Sequence, residues 1–165
     1  AKDVMLYDQM QSAQVGTCLL FIRPVIGVVI GVLADRTKTT FWLLVSFIVS
    51  FLGALLFASG IISGSETALF FISILVVATG VYAARSLYFA VMERGNIPLV
   101  LTGTAVGLIS IIGYTPDIFA GPAMGFLLEN SPGATGHQHV FWMLALFSFI
   151  GGIAAWYYYK LYRKS

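Results

Sequence analysis

Five long apolar stretches, parted by short polar clusters, set the pattern of this chain. A bilayer core of roughly 30 Å is crossed by about 20 apolar residues in helix. The stretches 13–34, 41–62, 67–92, 98–128 and 139–159 each reach that length. Lipid cannot satisfy an open backbone, so the spacing predicts an all-α membrane protein: a polytopic bundle of five transmembrane helices. Turn-forming clusters support the divisions: Ser63-Gly64-Ser65-Glu66, Glu93-Arg94-Gly95-Asn96 and Asn130-Ser131-Pro132-Gly133. The fourth stretch is too long for a straight span, since about 31 residues make roughly 46 Å of helix. Pro116 and Pro122 fall inside it. It is expected to kink or break near 113–122, or to project beyond the outer face.

Composition sharpens the class. The chain is 59% hydrophobic and 10% charged, with a mean hydropathy of +0.92. A soluble domain is about 25% charged, so this chain lacks the polar groups to cover a water-facing surface. Its net charge of +2 is too small to suggest a nucleic-acid partner. Cys18 is the single cysteine, which excludes an internal disulfide and argues against a metal cluster. His137 and His139 fall in a predicted external loop, 133–139, with no acid or cysteine beside them, a weak metal set. No phosphate-binding loop, nucleophile motif or redox motif is present, so neither an enzyme nor a cofactor is expected. The first dozen residues are polar and form no signal peptide. The chain opens on Ala1 rather than Met, which suggests a start partway through a longer protein.

The placement of charge says more than its sum. Arg36 and Lys38 follow the first stretch, Arg94 the third, and Lys160, Arg163 and Lys164 the fifth. All fall on one face of an alternating topology, while the other face has only Lys2. The positive-inside rule makes the basic face cytoplasmic, in an inner (plasma) membrane. The N-terminus of this segment is then outside and the C-terminus inside. Trp156, Tyr157, Tyr158 and Tyr159 beside Lys160 form an aromatic belt that anchors the last helix.

Three ionisable groups lie within the spans: Arg23, Arg85 and Asp117. Such groups are costly in lipid and commonly serve transport. Two arginines facing one cavity would favour a small anionic substrate, because guanidinium offers forked donors to carboxylate, sulfonate or phosphate. The plainer alternative is that each pairs with a buried acid or snorkels. Asp117 can carry a coupling proton, or can cap a helix that restarts after Pro116. Tyr82, Tyr88 and Tyr114 can line a polar path, although lone aromatics more often pack. The pairs Gly27/Gly31, Gly103/Gly107 and Gly121/Gly125 have the spacing that permits close helix approach.

The stretch Gly31-Val-Leu33-Ala34-Asp35-Arg36 resembles the loop motif of the major facilitator superfamily, G-x-L-a-D-r-x-g-r-k. Gly31, Leu33, Ala34, Asp35 and Arg36 match; Lys38, Thr39 and Thr40 depart from the glycine and two basic positions. Such decay is similar to the second copy of the motif, between the eighth and ninth helices. The resemblance implies that the five spans are helices eight to twelve of a twelve-helix transporter. It implies gating roles for Gly31, Asp35 and Arg36. It also implies that the partners are the missing N-terminal half and seventh helix, with substrate held between the two halves near the midplane. The runs Arg85-Ser-Leu-Tyr88-Phe-Ala and Ile112-Gly113-Tyr114-Thr115-Pro116-Asp117 are similar to bacterial members that carry organic anions or sugar acids. The alternative reading is a nontransporting integral membrane subunit or scaffold, for which five spans would be complete.

Overall fold

A computed structural model describes residues 8–61, 67–91, 97–131 and 133–162. Five α-helices occupy them: α1 (Gln9–Arg36), α2 (Thr39–Ala58), α3 (Thr67–Ala90), α4 (Thr102–Asn130) and α5 (Ala134–Tyr162). All five are long and apolar enough to cross a membrane. There is no strand among the described residues.

The helix ends follow local chemistry. α1 stops where Lys38 takes an extended backbone, φ −118° and ψ 108°. The Thr37 hydroxyl donates to the Leu33 carbonyl at 2.7 Å and accepts from the Trp42 indole at 2.7 Å, which rivets a link of two residues. Arg36 in the last turn of α1 complements the negative end of the helix dipole. Gly60, at φ +70°, lets the chain leave α2 in the left-handed region that favours glycine. α4 follows a 3-10 turn, Leu99–Leu101, and then runs unbroken through both prolines. Pro116 leaves the Ile112 carbonyl without its helical donor. The Thr115 hydroxyl bonds the neighbouring carbonyl of Ile111 at 2.5 Å. The helix continues where a break was an open expectation. α5 begins at Ala134, five residues before the predicted start at 139. His137 and His139 thus stand on a helix rather than in a loop, and residues two apart on a helix point to different sides.

The succession of neighbours runs α1, α3, α2, α5, α4. α2 is central, packed along its length on α3 and α5; α1 lies against α3, and α4 leans more lightly on α5. Backbones meet at small residues. A methyl group on Gly80 of α3 would strike the backbone nitrogen of Ser50 at 2.5 Å and the backbone oxygen of Ser46 at 2.8 Å. The Phe47 ring of α2 lies directly on Gly151 of α5. By contrast, added methyl groups at Gly31, Gly103, Gly107, Gly121 and Gly125 would meet nothing within 4 Å. Of the glycines singled out for their spacing, only Gly27 has a neighbour that an added methyl group would meet, the Ser86 hydroxyl at 3.2 Å.

Two cores close the ends of the bundle. At the end that carries Lys38 and Lys160, Ala34, Leu43, Leu87 and Ala155 are buried together. There the Tyr158 hydroxyl donates to the Val91 carbonyl, 3.2 Å, and ties α5 to α3. At the opposite end, Phe57 and Phe70 are buried against Phe141. Phe57 stacks on Phe141 at 4.3 Å and meets Phe70 edge-on at 5.9 Å. Between these ends α4 stands off, and a cleft opens.

Candidate functional site

The cleft lies between α2, α3, α4 and α5, with a volume of about 570 Å³. Drug-sized ligand sites fall in the same range, roughly 300–1,000 Å³. Helical spacing turns Val81, Ala84, Arg85 and Tyr88 of α3 toward it. Phe47, Ile112, Leu144 and Phe147 make most of its wall apolar. Its polar points are few: Arg85, Asp117, Tyr88, Ser50 and Ser148.

Arg85 and Asp117 form the one ion pair among the described residues, Nη2 to Oδ2 at 2.5 Å. They are 32 residues apart in sequence and join α3 to α4 across the cleft. The side chains are 37% and 55% exposed. The pair is therefore open to whatever enters, not sealed in a packed interior. The Arg85 guanidinium also lies over the Tyr114 ring, 5.4 Å from its centre, a cation–π contact that holds its plane. The Tyr88 ring packs against Gly113, where an added methyl group would sit 3.2 Å from it.

The second arginine sits elsewhere. Arg23 of α1 lies over the Tyr82 ring, 5.9 Å from its centre. Tyr82 and Arg85 are three residues apart on α3; the first meets Arg23 of α1, the second Asp117 and Tyr114 of α4. Arg23 does not line the cleft; Arg85, Tyr88 and Asp117 do. Asp117 sits inside an unbroken α4, so it does not cap a helix that restarts after Pro116; it pairs with Arg85 instead.

The motif residues occupy the end of α1. Ala34 is buried at 2% exposure, while Asp35 and Arg36 are exposed and make no ion pair with any described residue. Gly31 is half-buried with open space beside it. Residues 92–96, which include Arg94, lie outside the described residues.

Two cleft residues escaped the reading of charges and aromatics: Ser50 and Ser148, 2% and 5% exposed. The signal for Ser50 was present. Ser46, Ser50, Gly53 and Phe57 recur three or four residues apart on α2 and, with Ala54, are all buried, a seam made mostly of small residues. Among the described residues, no three His, Cys, Asp or Glu side chains gather to hold a metal ion.

Comparison with known proteins gives a class and a location. No family model matches the chain, and no solved structure matches it. Inner membrane protein YihN of Escherichia coli (strain K12) is 35% identical over 75 residues, 46% of this chain and 18% of that protein. Inner membrane protein YqcE of the same organism is 33% identical over 73 residues, 44% of this chain and 17% of that protein. The matched stretch thus spans less than a fifth of either relative. Five apolar helices and these two relatives together make the chain a multi-pass helical protein of the inner-membrane type.

Proposed function

We propose that the chain is the C-terminal part, helices eight to twelve, of a secondary active transporter that moves a small anionic metabolite by alternating access. The observation that carries this reading is the Arg85–Asp117 pair, placed within two apolar helices and open to a cleft. An intramembrane ion pair that is accessible has a cost in lipid and a use in binding. Arg85 supplies forked donors to an anion, and Tyr114 holds the guanidinium plane. Arg23, backed by Tyr82, offers a second cation where α1 meets α3.

Asp117 carries the coupling role. A substrate anion competes with Asp117 for Arg85. A proton taken from water onto the Asp117 carboxylate releases Arg85 to the anion, and the site keeps its net charge. Arg85 is the charged group that faces Asp117 from α3; the α2 and α5 walls of the cleft bring only Ser50 and Ser148 as polar groups. Gly31, Asp35 and Arg36 form the gate at the cytoplasmic end, with the chain's C-terminus on the same side. The uncovered faces of α1 and α4 receive the seventh helix and the N-terminal half. A nontransporting subunit is the second reading, supported by those same uncovered faces, and it predicts no flux.

The test uses the full gene product in proteoliposomes. Arg85→Gln is expected to lower uptake of the transported anion by about tenfold or more, the scale of a lost charged hydrogen bond, with membrane expression intact. Arg23→Lys is expected to weaken uptake less. Flux that is unchanged in both variants overturns the anion-binding role; absence of flux for any anion overturns transport.

A further inference from the structure

We infer that a groove between α2 and α5 is a lipid site: it seats an acyl chain of an anionic phospholipid, whose phosphate meets Lys160. The inference needs only that α2 and α5 cross a bilayer, and it stands apart from the transport reading.

The groove has a volume of about 330 Å³ and is lined by α2 and α5 alone. Leu44, Ile48 and Phe51 face it from α2, and Phe149, Ile153 and Trp156 from α5. Apart from the Trp156 indole, its one polar side chain is Ser148, which is buried. Ile48, Phe149, Ile153 and Trp156 are each about half exposed, so in a spanning helix pair they meet hydrocarbon. The groove and the cleft share Phe47 and Ser148 and otherwise draw on different sides of each helix, so they open on opposite flanks of the α2–α5 contact. Gly152 gives the groove its depth. A methyl group added there would meet only Phe47 Cβ, at an ordinary 3.7 Å.

Its two ends differ. At the deep end the Phe51 and Phe149 rings meet at 5.6 Å and bridge the helices. At the other end Trp156 lines the groove, and the Lys160 ammonium lies over its ring, 5.5 Å from the centre. Lys160 is exposed and forms no ion pair with a described residue. Arg163 and Lys164 follow it in the sequence, and basic residues clustered beside a spanning helix attract anionic headgroups. Phe149 and Lys160 are eleven residues apart on α5, about 16 Å of helix, which is one leaflet's share of a core of roughly 30 Å. A chain that enters beside Lys160 thus runs toward the midplane and leaves its phosphate at the cation. In the groove it touches two helices at once, where on a convex helix face it would touch one. A zwitterionic lipid offers the same chain, but its own cation offsets the phosphate. The charge of Lys160 therefore selects the anionic lipid.

The experiment places the full gene product in nanodiscs of dioleoylphosphatidylcholine that carry a trace of a photoreactive lipid. Two probes bear the same diazirine on an acyl chain, one with a phosphatidylglycerol headgroup and one with phosphatidylcholine. Crosslinks mapped by mass spectrometry are expected on Ile48, Phe149 and Ile153. The phosphatidylglycerol probe should label them at least about fivefold more, the scale of one basic residue near an anionic surface. Lys160→Gln should bring the two probes level, and Lys160→Arg should keep the difference; the exposed site tolerates both. Gly152→Leu fills the groove and should lower labelling of these residues by both probes. Equal labelling by the two probes in the unsubstituted protein overturns the inference, as does a difference that survives Lys160→Gln. Labelling undiminished by Gly152→Leu overturns the groove as the seat of the chain. A groove that neither probe labels, because a second copy or another segment of the protein covers it, overturns the inference as well. None of these readouts uses flux, so the lipid site and the transport reading fail separately.

Discussion

α2 and α4 are both long and apolar enough to span a bilayer. They behave differently inside the bundle. α2 buries Leu43, Ser46, Ser50, Gly53, Ala54 and Phe57 along one seam, whereas α4 has no buried residue. Hydropathy explains why each helix enters lipid and says nothing about which helix it touches. Among lipid tails, apolar side chains gain little from meeting one another, and association depends on how closely backbones approach. α2 achieves that with Ser46 and Ser50 set against Gly80, Gly53 set against Val77, and Phe47 set on Gly151. α4 is richer in glycine, yet its glycines at 103, 107, 121 and 125 face open space. What attaches α4 to α3 is a charge pair and an aromatic contact, Arg85–Asp117 and Arg85–Tyr114. One region is held by shape and the other by chemistry. The second can part without unpacking the first.

Substitutions can break or sharpen this contrast. The largest effect is expected from Gly80→Leu, whose side chain would meet the α2 backbone and force α2 and α3 apart. A loss of about 3 kcal/mol or more, the upper end for overpacking, should appear in denaturant unfolding in detergent. Gly151→Val comes next, at about 1–3 kcal/mol, because the Phe47 ring can turn aside where backbone cannot. The smallest effect belongs to Gly107→Leu. In the 165-residue chain it should change stability by no more than about 0.5 kcal/mol, since nothing lies within 4 Å of the added carbon. If Gly107→Leu costs as much as Gly151→Val in this chain, the contrast between the two helices fails. A cost in the full gene product but not in this chain would locate the covering segment on that face of α4.

The existence of five helices was legible because a span must be long and apolar whatever it packs on. Their packing was harder to read. The glycine pairs with the familiar four-residue spacing lie mostly on uncovered faces, and Gly80, which meets the backbone of another helix, has no glycine four residues away. Spacing within one helix records the shape of its own surface; the partner is chosen by the complementary stripe on another helix, here Ser46 and Ser50. Arg85 and Asp117 stood out as intramembrane charges, but their pairing crosses 32 residues and no local periodicity connects them. The two arginines looked alike in sequence and separate in space because Tyr82 and Arg85, one turn apart, point to different neighbours. The one signal for Ser50 was its place in the small-residue seam with Ser46 and Gly53.

The link between α1 and α2 has a mechanical consequence. Only Thr37 and Lys38 separate the helices, and the Thr37 hydroxyl is held from both sides by Leu33 and Trp42. α1 is thus anchored at one end and, apart from its contact with α3, lightly covered along its length. It is a rod of about 42 Å turning on a pivot two residues wide, so a tilt of about 10° carries its free end through about 7 Å. Arg23, near the middle of that rod, travels roughly half as far. Any motion that begins at the Asp35–Arg36 end is therefore magnified before it reaches the far side of the membrane.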